Sequence, residues 1–128
     1  MKFRLLPFVV ITSLLPLAVW SDERTPDLKN GRMVAKVCRE CHAFRESKRQ
    51  KFGPNLAGLF GRPAGQLDGY PYSIAMREIG VVWTSETLDR FLADPAAFVP
   101  GTEMRFKGIE SAASRADLIS YLAVATEK

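Results

Sequence analysis

Two long segments without regular periodicity limit what this chain can fold into. Ala43 to Tyr70 is rich in Gly and Pro and shows neither helical nor strand periodicity, and Asp94 to Glu110 is a second such stretch. Loops of this length do not order themselves in a compact domain unless something packs them. The rest of the chain offers four helical segments. The first runs from Asp27, a plausible N-cap, to about His42, with Leu28, Met33, Val34, Val37 and Cys41 near helical spacing. A short helix is expected over Tyr72–Ile79, stopped by Gly80. Thr84 can cap a third, whose Leu88, Phe91 and Leu92 form an i, i+3, i+4 stripe ending at Pro95. Ser111 or Ser114 caps the last, with Leu118, Tyr121, Leu122 and Ala125 on one face. No strand pattern, internal repeat or low-complexity segment stands out. Short helices and long loops leave the centre without a filler, so the sequence predicts an all-α domain built around a large apolar ligand.

The chain has 128 residues, enough for one domain, and a formal charge of +4 without a clustered basic stripe. Nucleic acid is therefore not an expected partner. A hydrophobic content of 47% excludes general disorder, and two cysteines are too few for a disulfide scaffold. Residues 1–21 read as a secretory signal peptide. Lys2 and Arg4 precede the uncharged run Leu5–Trp20, and Val19-Trp20-Ser21 offers a cleavage site, with the bulky Trp20 as its imperfection. An uncleaved anchor is the alternative, but the run falls short of the roughly 20 residues that span a bilayer. Residues 22–128 are then the domain, exported to a periplasm and membrane-bound only if the leader is retained.

The chemistry concentrates in Cys38-Arg39-Glu40-Cys41-His42, the C-x-x-C-H signature of c-type haem attachment. Residues three apart on a helix share a side, so both thiols reach the two vinyl groups of one haem. The next residue, His42, can turn its imidazole under the iron. Other readings fit less well. A thioredoxin-like pair lacks its βαβ context. A zinc site lacks a fourth ligand, because His42 is the one histidine and no further Cys exists. With histidine exhausted, a second axial ligand falls to methionine. Met1 lies in the leader, and Met33 shares the motif's helix and cannot reach the opposite haem face. Met76 and Met104 remain, and Met104 is favoured because its loop is long enough to cross the haem. A His/Met pair suits electron transfer.

Further segments match a known family in its order and nearly its spacing. They are Gly53-Pro54-Asn55-Leu56, Gly58-Leu59-Phe60-Gly61-Arg62, Gly69-Tyr70-Pro71-Tyr72, Trp83 with Glu86-Thr87-Leu88, Asp94-Pro95, Pro100-Gly101-Thr102, Met104, Gly108-Ile109, Arg115-Ala116-Asp117-Leu118-Ile119 and Tyr121-Leu122. The chain resembles class I cytochrome c of the mitochondrial type and its bacterial periplasmic relatives. The resemblance implies a small all-α fold of about four to five helices wrapped around one haem c, covalent through Cys38 and Cys41. It makes His42 and Met104 the iron ligands and places Pro54, Phe91 and Thr102 at the haem. The Pro54 carbonyl would accept the second imidazole N–H. Arg62, Tyr72, Ser73 and Trp83 would hydrogen-bond or neutralise the propionates. Gly31 and Tyr121 would mark the crossing of the first and last helices.

The implied function is a monomeric single-electron carrier, not an enzyme, in a respiratory or dehydrogenase-linked chain. A membrane complex or periplasmic dehydrogenase would donate, and an oxidase or reductase would accept. A peroxidase or ligand sensor would need an open axial position, and a haem-free binding module would need a core of its own. Three departures from the family stand out. Phe91 replaces a tyrosine that could donate to the Met104 sulfur, which lowers the expected potential. Met76 replaces a polar asparagine, which raises it. Ala96, Ala97 and Glu103 stand where relatives carry lysines. Arg39, Arg49 and Lys51 could keep a basic docking patch on the other side, or, with Arg45 and Lys48, form a solvated loop face.

Overall fold

A computed structural model describes residues 24–128; the expected leader, 1–21, lies outside them. Asp27 opens the helical frame. Its carboxylate accepts from the backbone N–H groups of Lys29 and Asn30 and so caps α1, Leu28–Val34. Helix α2, Lys36–Cys41, follows at once, with Ala35 serving as C-cap of the one and N-cap of the other. The single helix expected from Asp27 to His42 is thus broken in its middle. Ser73 caps α3, Ile74–Glu78, by accepting from the Met76 N–H. Thr84 and Thr87 exchange two hydrogen bonds at the start of α4, Ser85–Ala93. Threonine here takes the place that Glu or Gln usually has in such a box.

Pro95 does more than end α4. Asp94 accepts from the Ala97 N–H, and Pro95 becomes the first residue of a one-turn helix, α5, Pro95–Phe98. Proline has no N–H to waste there and its φ is already helical. Ser111, rather than Ser114, caps α6, Ala112–Ala125, by accepting from the Ser114 N–H. The described residues therefore hold six short helices, with one isolated antiparallel bridge between Pro63 and Val82.

The frame is α1 and α4 laid against α6. Gly31 is buried where α1 crosses α6, and a Cβ there would run into the Asp117 carbonyl and the Tyr121 Cβ. Around this crossing Asp117, itself 2% exposed, collects the N-terminus. It accepts from the Arg24 guanidinium at 2.6 Å, the Asp27 N–H at 2.8 Å and the Asn30 amide at 2.8 Å. The Asn30 and Asp27 donors, ahead of Arg24, hold its carboxyl below the usual carboxylate range against the opposing effect of burial. Arg115 does the same between α6 and α4. It donates to Asp89 at 2.7 Å and to the Ile109 and Glu110 carbonyls at 2.7 and 2.9 Å. Leu118, Leu122, Leu88, Leu92, Val99 and Phe44 form the adjoining core.

Candidate cofactor site

The loops take their shape from the residues that punctuate them. Gly61 N–H donates to Trp83 C=O, Trp83 N–H to Arg62 C=O and Ala64 N–H to Val81 C=O. This short ladder sets Arg62 and Trp83 side by side. The Met104 loop begins with a turn closed by Thr102 N–H on Val99 C=O at 2.9 Å. Pro100 and Gly101 fill its centre, and Gly101 has φ +94°, the left-handed position that a proline–glycine turn requires. The Thr102 hydroxyl then accepts from the Met104 N–H at 3.2 Å.

Between these loops and the helical frame lies a cavity of about 520 Å³ with largely apolar walls, within the roughly 300–1,000 Å³ typical of cofactor pockets. Every residue singled out for the haem borders it: Cys38, Cys41, His42, Pro54, Arg62, Tyr72, Ser73, Trp83, Phe91, Thr102 and Met104. Met76, the competing methionine, borders it too, while Met33 stays outside with its side chain half-exposed. A second depression of about 250 Å³, bordered by Glu46, Asp68 and Lys128, contains no cysteine, histidine or methionine.

His42 is the C-cap of α2, and its backbone leaves the helix in an extended conformation. The ring thereby turns away from the helix and meets the Pro54 carbonyl, with Nδ1 2.8 Å from that oxygen. A proton on Nδ1 satisfies the carbonyl and leaves the Nε2 lone pair free. Burial lowers the pKa of the ring, with the Pro54 contact opposing and the Lys51 charge assisting, and so favours the neutral form a metal needs. Gly53 lies flat on the same ring, where a Cβ would collide with the imidazole. That role was not legible beforehand; the signal was the glycine directly preceding Pro54. The Cys38 thiol is half-buried, and burial pushes its pKa up, whereas Cys41 is exposed.

On the far wall, Trp83 and Phe91 pack at 5.1 Å between ring centroids, and Phe91 meets Phe98 at 6.1 Å. Arg62 donates to the Asn55 and Ala57 carbonyls at 3.0 and 3.2 Å. Burial lowers its pKa, but from so high a start that the guanidinium keeps its charge. Tyr72 has its hydroxyl pKa raised by burial, against the pull of Arg62. The walls thus combine one half-buried cation with an apolar majority, an imidazole and two thiols three residues apart. This donor set fits a large flat apolar group that carries a metal and a few anionic substituents.

Two residues of the expected basic patch are occupied. Arg39 stacks its guanidinium over the Phe44 ring at 4.5 Å and bonds the Tyr121 hydroxyl. The Lys51 ammonium bonds the Arg39 carbonyl and lies 3.5 Å from the His42 carbonyl. These are the unpaired carbonyls at the end of α2, where a cation belongs.

No family model matches the chain. Individual relatives do. A cytochrome c from Sesamum indicum is 41% identical over 107 residues, covering 82% of this chain and 96% of that protein. A cytochrome c2 from Blastochloris viridis is 37% identical over 115 residues, covering 90% of this chain and 86% of the relative. Among solved structures, cytochrome cH from Methylobacterium extorquens superposes with a TM-score of 0.71 at 37% identity. It covers 77% of this chain and 98% of its own.

Proposed function

The chain belongs to the class I cytochrome c family, haem proteins that carry electrons rather than catalyse reactions, and we propose that it is a single-electron shuttle whose one haem c is attached through Cys38 and Cys41 and ligated by His42 and Met104. The observation that carries this reading is the convergence of both thiols, the His42 imidazole and the Met104 side chain on one apolar cavity. When bound, the haem supplies a one-electron iron couple. The chain's own residues do the rest. The Pro54 carbonyl orients the imidazole and raises its basicity. Thr102 holds the backbone of the Met104 loop. Arg62, with Tyr72, Ser73 and Trp83, offers charge and hydrogen bonds to propionates. Leu59, Trp83 and Phe91 exclude water, which favours the less charged redox state.

Phe91 packs against its neighbours but has no hydroxyl to offer a methionine sulfur, which lowers the potential, while Met76 removes a polar neighbour, which raises it. In this reading residues 1–21 direct export and are cleaved, and the monomeric domain 22–128 works in a periplasm. No helix among the described residues is long and apolar enough to cross a membrane. Its donor would be a membrane complex or a periplasmic dehydrogenase, and its acceptor an oxidase or a reductase.

The test is an absorption spectrum of the oxidised and reduced protein. A low-spin c-type spectrum with the far-red sulfur-to-iron band is expected, and Met104→Ala should abolish that band while leaving the haem attached. A band that survives in Met104→Ala and disappears in Met76→Ala would transfer the ligand role to Met76.

A further inference from the structure

Resting on the electron-carrier reading, we propose that this protein meets its redox partner through an apolar contact centred on Phe52, and that the partner is a protein whose electron-entry point lies in an apolar, weakly charged patch.

Phe52 is 90% exposed, the most exposed of the large hydrophobic residues among those described. Single exposed apolar residues are common, but Phe52 is not isolated. It borders the mouth of the cofactor cavity, and so does Val37, 43% exposed on α2. Phe52 and Val37 therefore form an apolar strip at the lip of the cavity.

The position of Phe52 is fixed from behind. The Tyr70 hydroxyl donates to its carbonyl at 2.7 Å. The next residue, Gly53, donates to the Cys41 carbonyl at 2.8 Å and lies against the His42 ring. A large ring is thus presented one residue from the imidazole on a backbone that is already ordered. Docking on such a residue has little further ordering cost.

Charge on the same rim does not select a strongly charged partner. Glu40 and Glu103 border the cavity mouth beside Arg105, so neither sign dominates. The cations Arg39 and Lys51 carry charge too but are drawn back onto Tyr121, Phe44 and the carbonyls at the end of α2, so they offset the two carboxylates rather than build a field of one sign. Electrostatic steering needs a field of one sign. Without it, complex formation depends on desolvating apolar surface at the centre of the contact, where aromatic residues are enriched. A rim of mixed sign likewise gives an anionic lipid surface no net attraction.

The test compares the whole haem-loaded protein with Phe52→Ser, a change at an exposed site that leaves the core untouched. Ferrous protein is mixed with washed membranes plus the soluble periplasmic fraction of the producing cell, and its oxidation is followed from low to high salt. The wild-type rate should be nearly independent of salt. Phe52→Ser should lower it about tenfold at every salt concentration, the scale of a truncated contact hot spot. Each rate is divided by the rate of the same protein with ferricyanide, which removes any change at the haem itself from the comparison. A Phe52→Ser rate equal to the wild type overturns the proposal, and so does a wild-type rate that falls steeply with salt. Wild-type protein that ferricyanide oxidises but the cell fractions do not also counts against it. Binding to anionic phospholipid vesicles that Phe52→Ser abolishes would assign the strip to a lipid surface instead. Wild-type protein that neither the cell fractions nor ferricyanide oxidise would instead overturn the electron-carrier reading.

Discussion

The helical crossing and the loop walls of the cavity are ordered by different things. At the crossing, α1 and α6 satisfy one another. Gly31 admits the Asp117 backbone, and the Asp117 carboxylate takes three donors from residues 24–30. At the cavity, loops 43–70 and 94–110 bring Leu59 and Met104 opposite Trp83 and the α4 residue Phe91, around a space that the protein itself does not fill. Backbone hydrogen bonds pin these loops at intervals, as in the Arg62–Trp83 ladder and the Val99–Thr102 turn, while the side chains named above face the cavity. One region is held by protein against protein, the other by protein against cofactor. A chain too small for a large core can divide its stability in this way, with the consequence that half of its fold depends on a covalent group.

Breaking the cofactor half should have the largest effect. The double change Cys38→Ala with Cys41→Ala removes both attachment points and should abolish the cooperative thermal transition followed by circular dichroism. A variant that still melts cooperatively would show that the loops have a core of their own. Breaking the frame comes next. Gly31→Val forces side-chain atoms into the Asp117 backbone and should cost about 3 kcal/mol in chemical denaturation, with the haem spectrum retained. A loss near zero would mean that α1 can slide on α6.

Arg115→Met should cost about 2 kcal/mol, because the Ile109 and Glu110 carbonyls lose their donor. Asp89, 44% exposed, can return to water, which limits the loss. The smallest effect is expected from Asp117→Asn and is best read as a pH profile. The Asp117 carboxyl has a depressed pKa in the fold. Its contribution is therefore fully present above the ordinary carboxylate pKa of about 3.9. It is lost as pH falls through the lower folded value. Wild-type stability should decline across that acid range, and the Asp117→Asn profile should be flatter. Parallel profiles would show that other carboxylates control acid unfolding.

What the sequence made legible depended on how local each signal was. The haem motif, the caps at Asp27, Thr84 and Ser111, and the stripe Leu118-Tyr121-Leu122-Ala125 are written within a few residues of one another. The break at Ala35 was not, because both flanking segments continue the same helical pattern. Nor was α5, since Pro95 ends one helix and begins the next with the same geometry. The Asp117 cluster was out of reach for another reason. Its partners Arg24 and Asn30 lie 93 and 87 positions away, and nothing around Asp117 announces them. Arg39 shows the limit of counting charges. In the sequence it is a surface cation beside a cofactor, whereas in the fold it is a pin between Phe44 and Tyr121.

The Asp117 contacts also carry an entropic consequence. They join residues 24–30 to a carboxylate 87 to 93 positions further along the chain, so the closure of a long loop has to be met before any of these hydrogen bonds rewards it. Contacts of such separation raise the mean sequence distance between partners, the quantity that slows folding in small domains. The short helices cap themselves within a few residues, and the docking of one on another is what this distant carboxylate governs.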